Sequence, residues 1–141
     1  MAARRPNIIF ILSDQQRWDS VGCYGQSLDT TPNLDRMARE GVRFSHTFSC
    51  QPICGPARSC LQTGMWATQN GCWMNGISLP MDEMTLANRL TAGGYEVGYI
   101  GKWHLATTQE RFADPGNRPG QRVPVSYREE PVPPERRGGY N

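Results

Sequence analysis

Cys54 lies directly before Gly55 and Pro56, at a point where the sequence predicts that a helix begins. The first turn of a helix has unbonded backbone N–H groups and a partial positive charge, which together stabilise a thiolate or a bound anion. Arg58, one turn further on, carries a planar guanidinium that can bind an oxyanion through two hydrogen bonds. The spacing fits a small buried Cys54 and a surface Arg58 equally well.

Three further polar residues follow segments that the sequence predicts to be strands. Asp14 comes directly after segment 7–13, and Lys102 and His104 come after segment 95–100. A carboxylate suits a hard divalent cation, whereas an ammonium and an imidazole suit an anionic substrate. From the residues alone, Asp14 fits a simple turn as well as a metal site. For Lys102 and His104 the alternative is a solvated loop, but two polar groups that flank Trp103 at a strand end favour a binding site.

The elements that would position these residues alternate between strand and helix. Continuous or alternating apolar residues predict strands at 7–13, 42–45 and 95–100. Such alternation predicts an α/β fold with a mostly parallel sheet flanked by helices. In sheets of this kind, functional groups collect beyond the carboxyl ends of the strands. The sequence therefore predicts one shared site for four residues: Asp14, Cys54, Lys102 and His104.

Three helices are predicted, at 32–40, 56–63 and 85–92, and their ends carry residues with known capping preferences. Thr31 suits an N-cap and Pro32 the first turn of the first helix. Glycines end all three helices, as is common at helix C-termini. They are Gly41, Gly64 and the pair Gly93 and Gly94.

The amino-acid composition of the chain changes after residue 106. Six of the eleven prolines fall in 107–141, and this segment has little periodic apolar pattern. Such a composition does not bury enough apolar surface to offset the entropy of ordering. We therefore expect a structured part at 1–106 and an irregular or disordered tail at 107–141.

Composition excludes several classes of function. The net charge of +2 on 141 residues does not favour a nucleic-acid partner. No apolar run approaches the roughly 20 residues that span a membrane, and no secretion signal is recognisable. Five cysteines, an odd number, argue against a disulfide framework. These features predict a cytoplasmic protein that binds neither nucleic acid nor membrane.

Four sequence motifs resemble those of the type I sulfatases, a formylglycine-dependent family of the alkaline-phosphatase-like superfamily. Segment 52–64 is similar to the first sulfatase signature, whose core is C-x-P-x-R. Segment 94–105 is similar to the second signature, with Gly101-Lys102-Trp103-His104. Segments 6–14 and 31–35 are also typical of the family. The four segments occur in the family's order and cover residues 6 to about 106.

This resemblance implies a sulfuric ester hydrolase in which Cys54 is oxidised to formylglycine by a dedicated maturation enzyme. One hydroxyl of the hydrated aldehyde then attacks sulfur, and the other helps to expel sulfate. The resemblance further implies a divalent cation, usually Ca²⁺, with Mg²⁺ or Mn²⁺ as alternatives, bound by Asp14, Gln15 and the group made from Cys54. Arg58, Lys102 and His104 would bind and orient the sulfate of a small-molecule or saccharide ester.

Gln15 departs from the family pattern, because many relatives have a second aspartate there. A neutral amide still offers an oxygen to a metal, but it lowers the negative charge of the site. The same departure occurs in phosphonate monoester and phosphodiester hydrolases of the superfamily. Such a hydrolase is therefore the alternative reading, and a truncated domain without catalysis is a third.

The resemblance also implies metal ligands and catalytic residues that lie further along the chain of a complete family member. One carboxylate at Asp14 makes a weak Ca²⁺ site, since this ion takes about 6–8 oxygen ligands. We therefore expect the 141-residue chain by itself to be an incomplete domain with little or no activity. Its specific sulfate ester is not indicated by the sequence.

Overall fold

The structure, a computed structural model, describes residues 5–106 and 137–139. These residues form three α-helices, which we name α1 (Pro32–Glu40), α2 (Cys54–Thr63) and α3 (Leu86–Ala92). Two short 3₁₀ helices precede them, at Trp18–Ser20 and Gly22–Tyr24. The chain divides into two compact units, Met1–Thr47 and Phe48–Asn141, and each is described by itself.

In the first unit, α1 begins at Pro32 as the capping residues predict. Thr31 occupies the N-cap position, but its hydroxyl accepts a hydrogen bond from the Gly22 N–H at 2.8 Å instead of capping the helix. The Asp35 carboxylate accepts a second bond from the Cys23 N–H at 2.6 Å. Two side chains at the start of α1 therefore fix the preceding 3₁₀ helix.

The apolar residues of α1 are not covered within the described residues. Leu34 is 42% exposed and Met37 is 58% exposed. The helix has no buried residue, although both side chains belong to the apolar stripe that predicted it. The periodic pattern thus identified the helix correctly, while the surface that the stripe would pack against is not among the described residues.

The predicted strands at 7–13, 42–45 and 95–100 are not formed in the part of the chain that the structure describes. The side chains from Ile8 to Leu12 are between 46% and 84% exposed. A strand exists only when a neighbour accepts its hydrogen bonds, and a parallel sheet also needs helices over both faces. The described residues supply neither to these segments, so the predicted sheet is not confirmed.

The second unit is organised around α2, in which seven of the ten residues are buried. Its C-terminus is the predicted one, because Gly64 adopts a left-handed conformation with φ 73° and its N–H bonds to the Cys60 carbonyl at 2.8 Å. Buried polar groups fasten the helix to the following loop. The Ser59 hydroxyl and Thr63 hydroxyl both accept from the Asn70 amide, each at 3.2 Å.

Helix α3 starts with a capping box. The Asn88 N–H donates to the Thr85 hydroxyl at 3.3 Å, and the Thr85 N–H donates back to the Asn88 side chain at 3.0 Å. This reciprocal pair satisfies backbone donors that the first turn leaves unbonded. Gly93 ends the helix as predicted.

A small apolar cluster joins the loop before α3 to segment 99–106, which follows this helix. It consists of Cys72, Leu79, Trp103 and Leu105, with Tyr99 and Ala106 packed against it. The Leu79 N–H donates to the Leu105 carbonyl at 2.9 Å, which ties the loop before α3 to the same segment. Trp103 and Leu105 are therefore anchored residues on either side of His104.

None of the helices in residues 5–106 and 137–139 is long and apolar enough to cross a membrane. Of the predicted tail at 107–141, only residues 137–139 lie among the described residues. The predicted boundary at residue 106 stays a prediction.

Candidate active site

Cys54 is the first residue of α2, whereas the sequence predicted a helix that begins at Pro56. Ile53, in an extended conformation, precedes the helix, and its carbonyl accepts the first helical bond from the Ala57 N–H at 2.9 Å. The helix thus begins two residues before its predicted start, and the Ile53 side chain makes no capping bond. The Cys54 side chain is half-buried and lies where the partial positive charge of the helix is strongest.

Asn75 supplies the missing cap and was not identified from the sequence. Its side-chain oxygen accepts from the Gly55 N–H at 2.9 Å, and its amide nitrogen donates to the Cys54 sulfur at 3.5 Å. One amide therefore satisfies a helix N-terminal donor and orients the thiol. This role was not predictable from the sequence, because Asn75 belongs to a Gly- and Asn-rich segment whose pattern indicates only a loop.

Arg58 is buried, with 7% of its surface exposed, which excludes the alternative of a surface residue. Its guanidinium donates to the Lys102 carbonyl at 2.8 Å and lies 3.5 Å from the Tyr99 hydroxyl. That hydroxyl donates to the same carbonyl at 2.5 Å. Arg58 thus joins α2 to segment 99–102, mainly by its bond to the Lys102 carbonyl. Its contact with an anion stays a prediction.

Lys102 and His104 flank the buried Trp103. Lys102 is exposed and His104 is half-buried. His104 adopts φ 59°, a left-handed conformation that non-glycine residues rarely hold without support from neighbours. A Cβ added to Gly55 would lie 3.7 Å from the His104 carbonyl oxygen, so this backbone lies against the start of α2.

The structure therefore brings together the two chain segments that carry four of the predicted site residues. Helix α2 contributes Cys54 and Arg58, and segment 102–104 contributes Lys102 and His104. The Arg58 guanidinium donates to the Lys102 carbonyl, and Gly55 lies against the His104 carbonyl. The two segments are far apart in the sequence, so the motifs alone did not show that they are in contact.

Asp14 and Gln15, the predicted metal ligands, belong to the first unit. Both are exposed, and Gln15 has a positive φ of 53°. Their oxygens are of the type that a hard cation prefers, but two side chains are fewer than such an ion needs. Among the described residues, no group of three or more His, Cys, Asp or Glu could hold a metal. The metal site stays a prediction.

Two other thiols, Cys60 and Cys72 of the second unit, are held in the neutral form. Burial raises the pKa of the Cys60 thiol to about 11, and a hydrogen bond with the Cys50 thiol adds to the rise. Burial also raises the pKa of Cys72. Since a thiol reacts as the thiolate, neither residue is a candidate nucleophile at neutral pH.

Alkaline pH is expected to destabilise the fold through Cys60. Its pKa is about 11 in the folded chain and 9.0 ordinarily, so between these values the folded state binds more protons than the unfolded state. The free energy of unfolding therefore falls as pH rises through this window, and the full contribution is present below it. Urea midpoints measured across the window should fall less steeply in a Cys60→Ala variant. Equal slopes would contradict the assignment.

Comparisons with known proteins give a consistent result. A family model named Sulfatase matches residues 6–130. The N-acetylglucosamine-6-O-sulfatase of Bacteroides thetaiotaomicron is 38% identical over 109 residues, which are 77% of this chain and 20% of that protein. The chain thus spans about a fifth of the length of this relative.

Solved structures agree with the family match. The crystal structure of a YidJ sulfatase from Bacteroides fragilis matches 96% of this chain and 30% of its own, with 35% identity and a TM-score of 0.76. A second structure, of a protein in complex with its substrate D-glucosamine-2-N,6-O-disulfate, matches 77% of this chain and 22% of its own. Its identity is 38% and its TM-score 0.71. The backbone described above therefore has the fold of the corresponding part of these proteins.

Proposed function

Because this chain belongs to the sulfatase family, we propose that it carries the nucleophile of a sulfuric ester hydrolase. The observation that supports this most directly is the placement of the C-x-P-x-R motif. Cys54 opens a buried helix, and Arg58 of the same helix bonds to the Lys102 carbonyl. Since the chain spans about a fifth of its relative, the activity is proposed for the enzyme of which these residues form part.

The proposed nucleophile is Cys54 after oxidation to formylglycine, whose hydrated aldehyde supplies the hydroxyl that attacks sulfur. The residues around it prepare the site. The Asn75 amide orients the side chain at position 54, and the N-terminus of α2 offers positive potential to the incoming sulfate. Lys102 would neutralise charge that develops on the sulfate oxygens, and His104 would hydrogen-bond the reacting oxygen.

Asp14 and Gln15 are proposed to hold a divalent cation together with the group derived from Cys54. Ca²⁺ suits their oxygen donors best, and Mg²⁺ or Mn²⁺ are the alternatives. Such an ion would offset negative charge on the sulfate when bound. The remaining oxygen ligands have to come from residues other than these three.

For the substrate we propose a saccharide sulfate ester. Support comes from one relative named as an N-acetylglucosamine-6-O-sulfatase and from one structural match whose substrate is a disulfated glucosamine. Gln15 favours a second candidate, a phosphonate monoester or phosphodiester, because a neutral amide changes the charge that the site presents. Relative turnover of matched sulfate and phosphate esters by the full-length enzyme distinguishes the two. A cytoplasmic location remains part of the proposal.

Conversion of Cys54 is expected when the chain is co-expressed with a formylglycine-generating enzyme. Replacing sulfur and two hydrogens by one oxygen lowers the mass by about 18 Da, and the product is an aldehyde suited to covalent catalysis. Tryptic digestion gives a peptide that contains both Cys50 and Cys54, so Cys50 is an internal control. Fragmentation should place the loss at Cys54 alone, and a Cys54→Ala variant should show none. An unchanged mass at Cys54 would leave the non-catalytic reading.

A further inference from the structure

Gly138 packs against Trp103, which lies between Lys102 and His104, and Gly139 packs against Asn88 of α3. The Thr85 hydroxyl, 53 residues earlier in the chain, lies 2.5 Å from the Gly138 carbonyl. The same hydroxyl lies 2.6 Å from the Asn88 side-chain oxygen, and its single proton serves one acceptor at a time. Thr85 is 1% exposed, so this contact is made in the interior of the unit.

Neither glycine has room for a side chain. A Cβ on Gly138 would lie 2.8 Å and 2.9 Å from two ring carbons of Trp103 and 3.2 Å from the Thr85 methyl. A Cβ on Gly139 would overlap the Asn88 amide. Both residues also have positive φ, 61° and 85°. Residue type is therefore restricted twice at each position, by space and by backbone conformation.

Trp103 links Gly138 to the proposed site, because it lies between Lys102 and His104 in the chain. Trp103 is 8% exposed, and its ring also packs edge-on with Tyr99, with centroids 5.3 Å apart and planes at 83°. Tyr99 in turn bonds to the Lys102 carbonyl. His104, next in the chain, holds its unusual φ only because its neighbours are fixed. The Gly138 backbone completes the enclosure of Trp103 and so helps to fix both flanking residues.

We infer that Gly138 and Gly139 form a positioning element in which Gly138 holds Trp103 and thereby sets the placement of Lys102 and His104, while Gly139 packs on Asn88 of α3. The inference deepens the proposed function, because it concerns the same site and rests on the sulfatase proposal for its catalytic consequence. The element acts through Trp103 and not through contact with the substrate. Its structural part, the docking of Gly138 on the indole ring, is testable without any activity.

The first test is hydrogen exchange of segment 99–106 in the full chain carrying Gly138→Ala. The added methyl group must displace Trp103, so exchange should accelerate about tenfold or more. Gly71→Ala is the matched control. Gly71 has a similar φ of 79° with no atom within 4 Å of an added Cβ, so it shares the backbone strain without the collision. Equal exchange in the two variants would overturn the inference.

Rescue by a smaller ring provides the second test. Phenylalanine lacks the two ring carbons that the new methyl group would meet, so Trp103→Phe should relieve the collision. In a double-mutant cycle, Gly138→Ala should accelerate exchange much less in the Trp103→Phe background. Strict additivity would show that Gly138 does not contact the indole ring in solution.

Measurements of sulfate ester turnover distinguish a positioning role of Gly138 from a role in stability alone. In the full-length enzyme, Gly138→Ala should lower kcat/KM for a sulfate ester about tenfold or more, while Gly71→Ala should leave it nearly unchanged. Turnover that is identical in both variants would exclude a positioning role. If no sulfate ester is turned over at all, the proposed function fails, yet the exchange cycle still decides whether Gly138 docks on Trp103.

Discussion

Sulfate ester hydrolysis by the full-length enzyme is expected to fall on the order of 10⁴-fold or more when Cys54 is replaced by alanine. Alanine cannot be oxidised to an aldehyde, so the proposed nucleophile is lost. The helix should survive, because the bond from the Gly55 N–H to Asn75 does not involve the side chain at position 54. The measurement is kcat/KM with a chromogenic aryl sulfate, accompanied by the urea midpoint of each variant.

Cys60→Ala is the matched control for this experiment. Cys60 lies on the same helix and is 8% exposed, so its loss leaves a small cavity in the interior. The cavity should cost about 1 kcal/mol of stability and little of the activity. Activity of the Cys54→Ala variant within about tenfold of the Cys60→Ala variant would mean that Cys54 is not the nucleophile.

The helices of this chain were predictable because their signals are local. Thr31 and Pro32 mark the start of α1, and Gly64 marks the end of α2 by the left-handed conformation that glycine tolerates. The same local logic failed at the start of α2. Its cap comes from Asn75, 20 residues after Gly55, and local spacing does not contain that information.

Contacts between distant segments account for the rest of what the sequence did not predict. Arg58 was expected to face an anion, and the structure shows that its guanidinium also anchors the Lys102 carbonyl, 44 residues away. Gly138 falls in the predicted tail, yet it packs on Trp103. Both contacts depend on how the chain returns on itself, which residue patterns along one segment do not specify.

The predicted sheet illustrates the opposite situation, in which the pattern is clear and its partner is not described. Ile9 and Ile11 are 84% and 80% exposed although their segment is continuously apolar. An apolar run shows that a segment must be buried if it forms a strand. It does not show which other part of the chain covers that strand. The match to sulfatase structures agrees with the predicted family, and no strand is formed among the described residues.

Replacement of Arg58 by alanine is expected to lower the free energy of unfolding by about 2–3 kcal/mol, because a buried charged donor is removed from the Lys102 carbonyl. The Tyr99 hydroxyl would still donate to that carbonyl. Arg36→Ala is the control, since Arg36 is 59% exposed and lies 4.0 Å from Glu40 on α1. Such a pair contributes about 0.5 kcal/mol or less.

Arg58→Lys separates the two roles that Arg58 combines. Lysine keeps the positive charge but loses the planar fork, so it cannot hold the Lys102 carbonyl and an oxyanion together. If Arg58 serves both, the lysine variant should recover part of the stability while kcat/KM stays about 100-fold low or lower. Urea unfolding and sulfate ester turnover measured on the same preparations decide this. Full recovery of turnover by lysine would show that charge alone suffices, and the double role would be wrong.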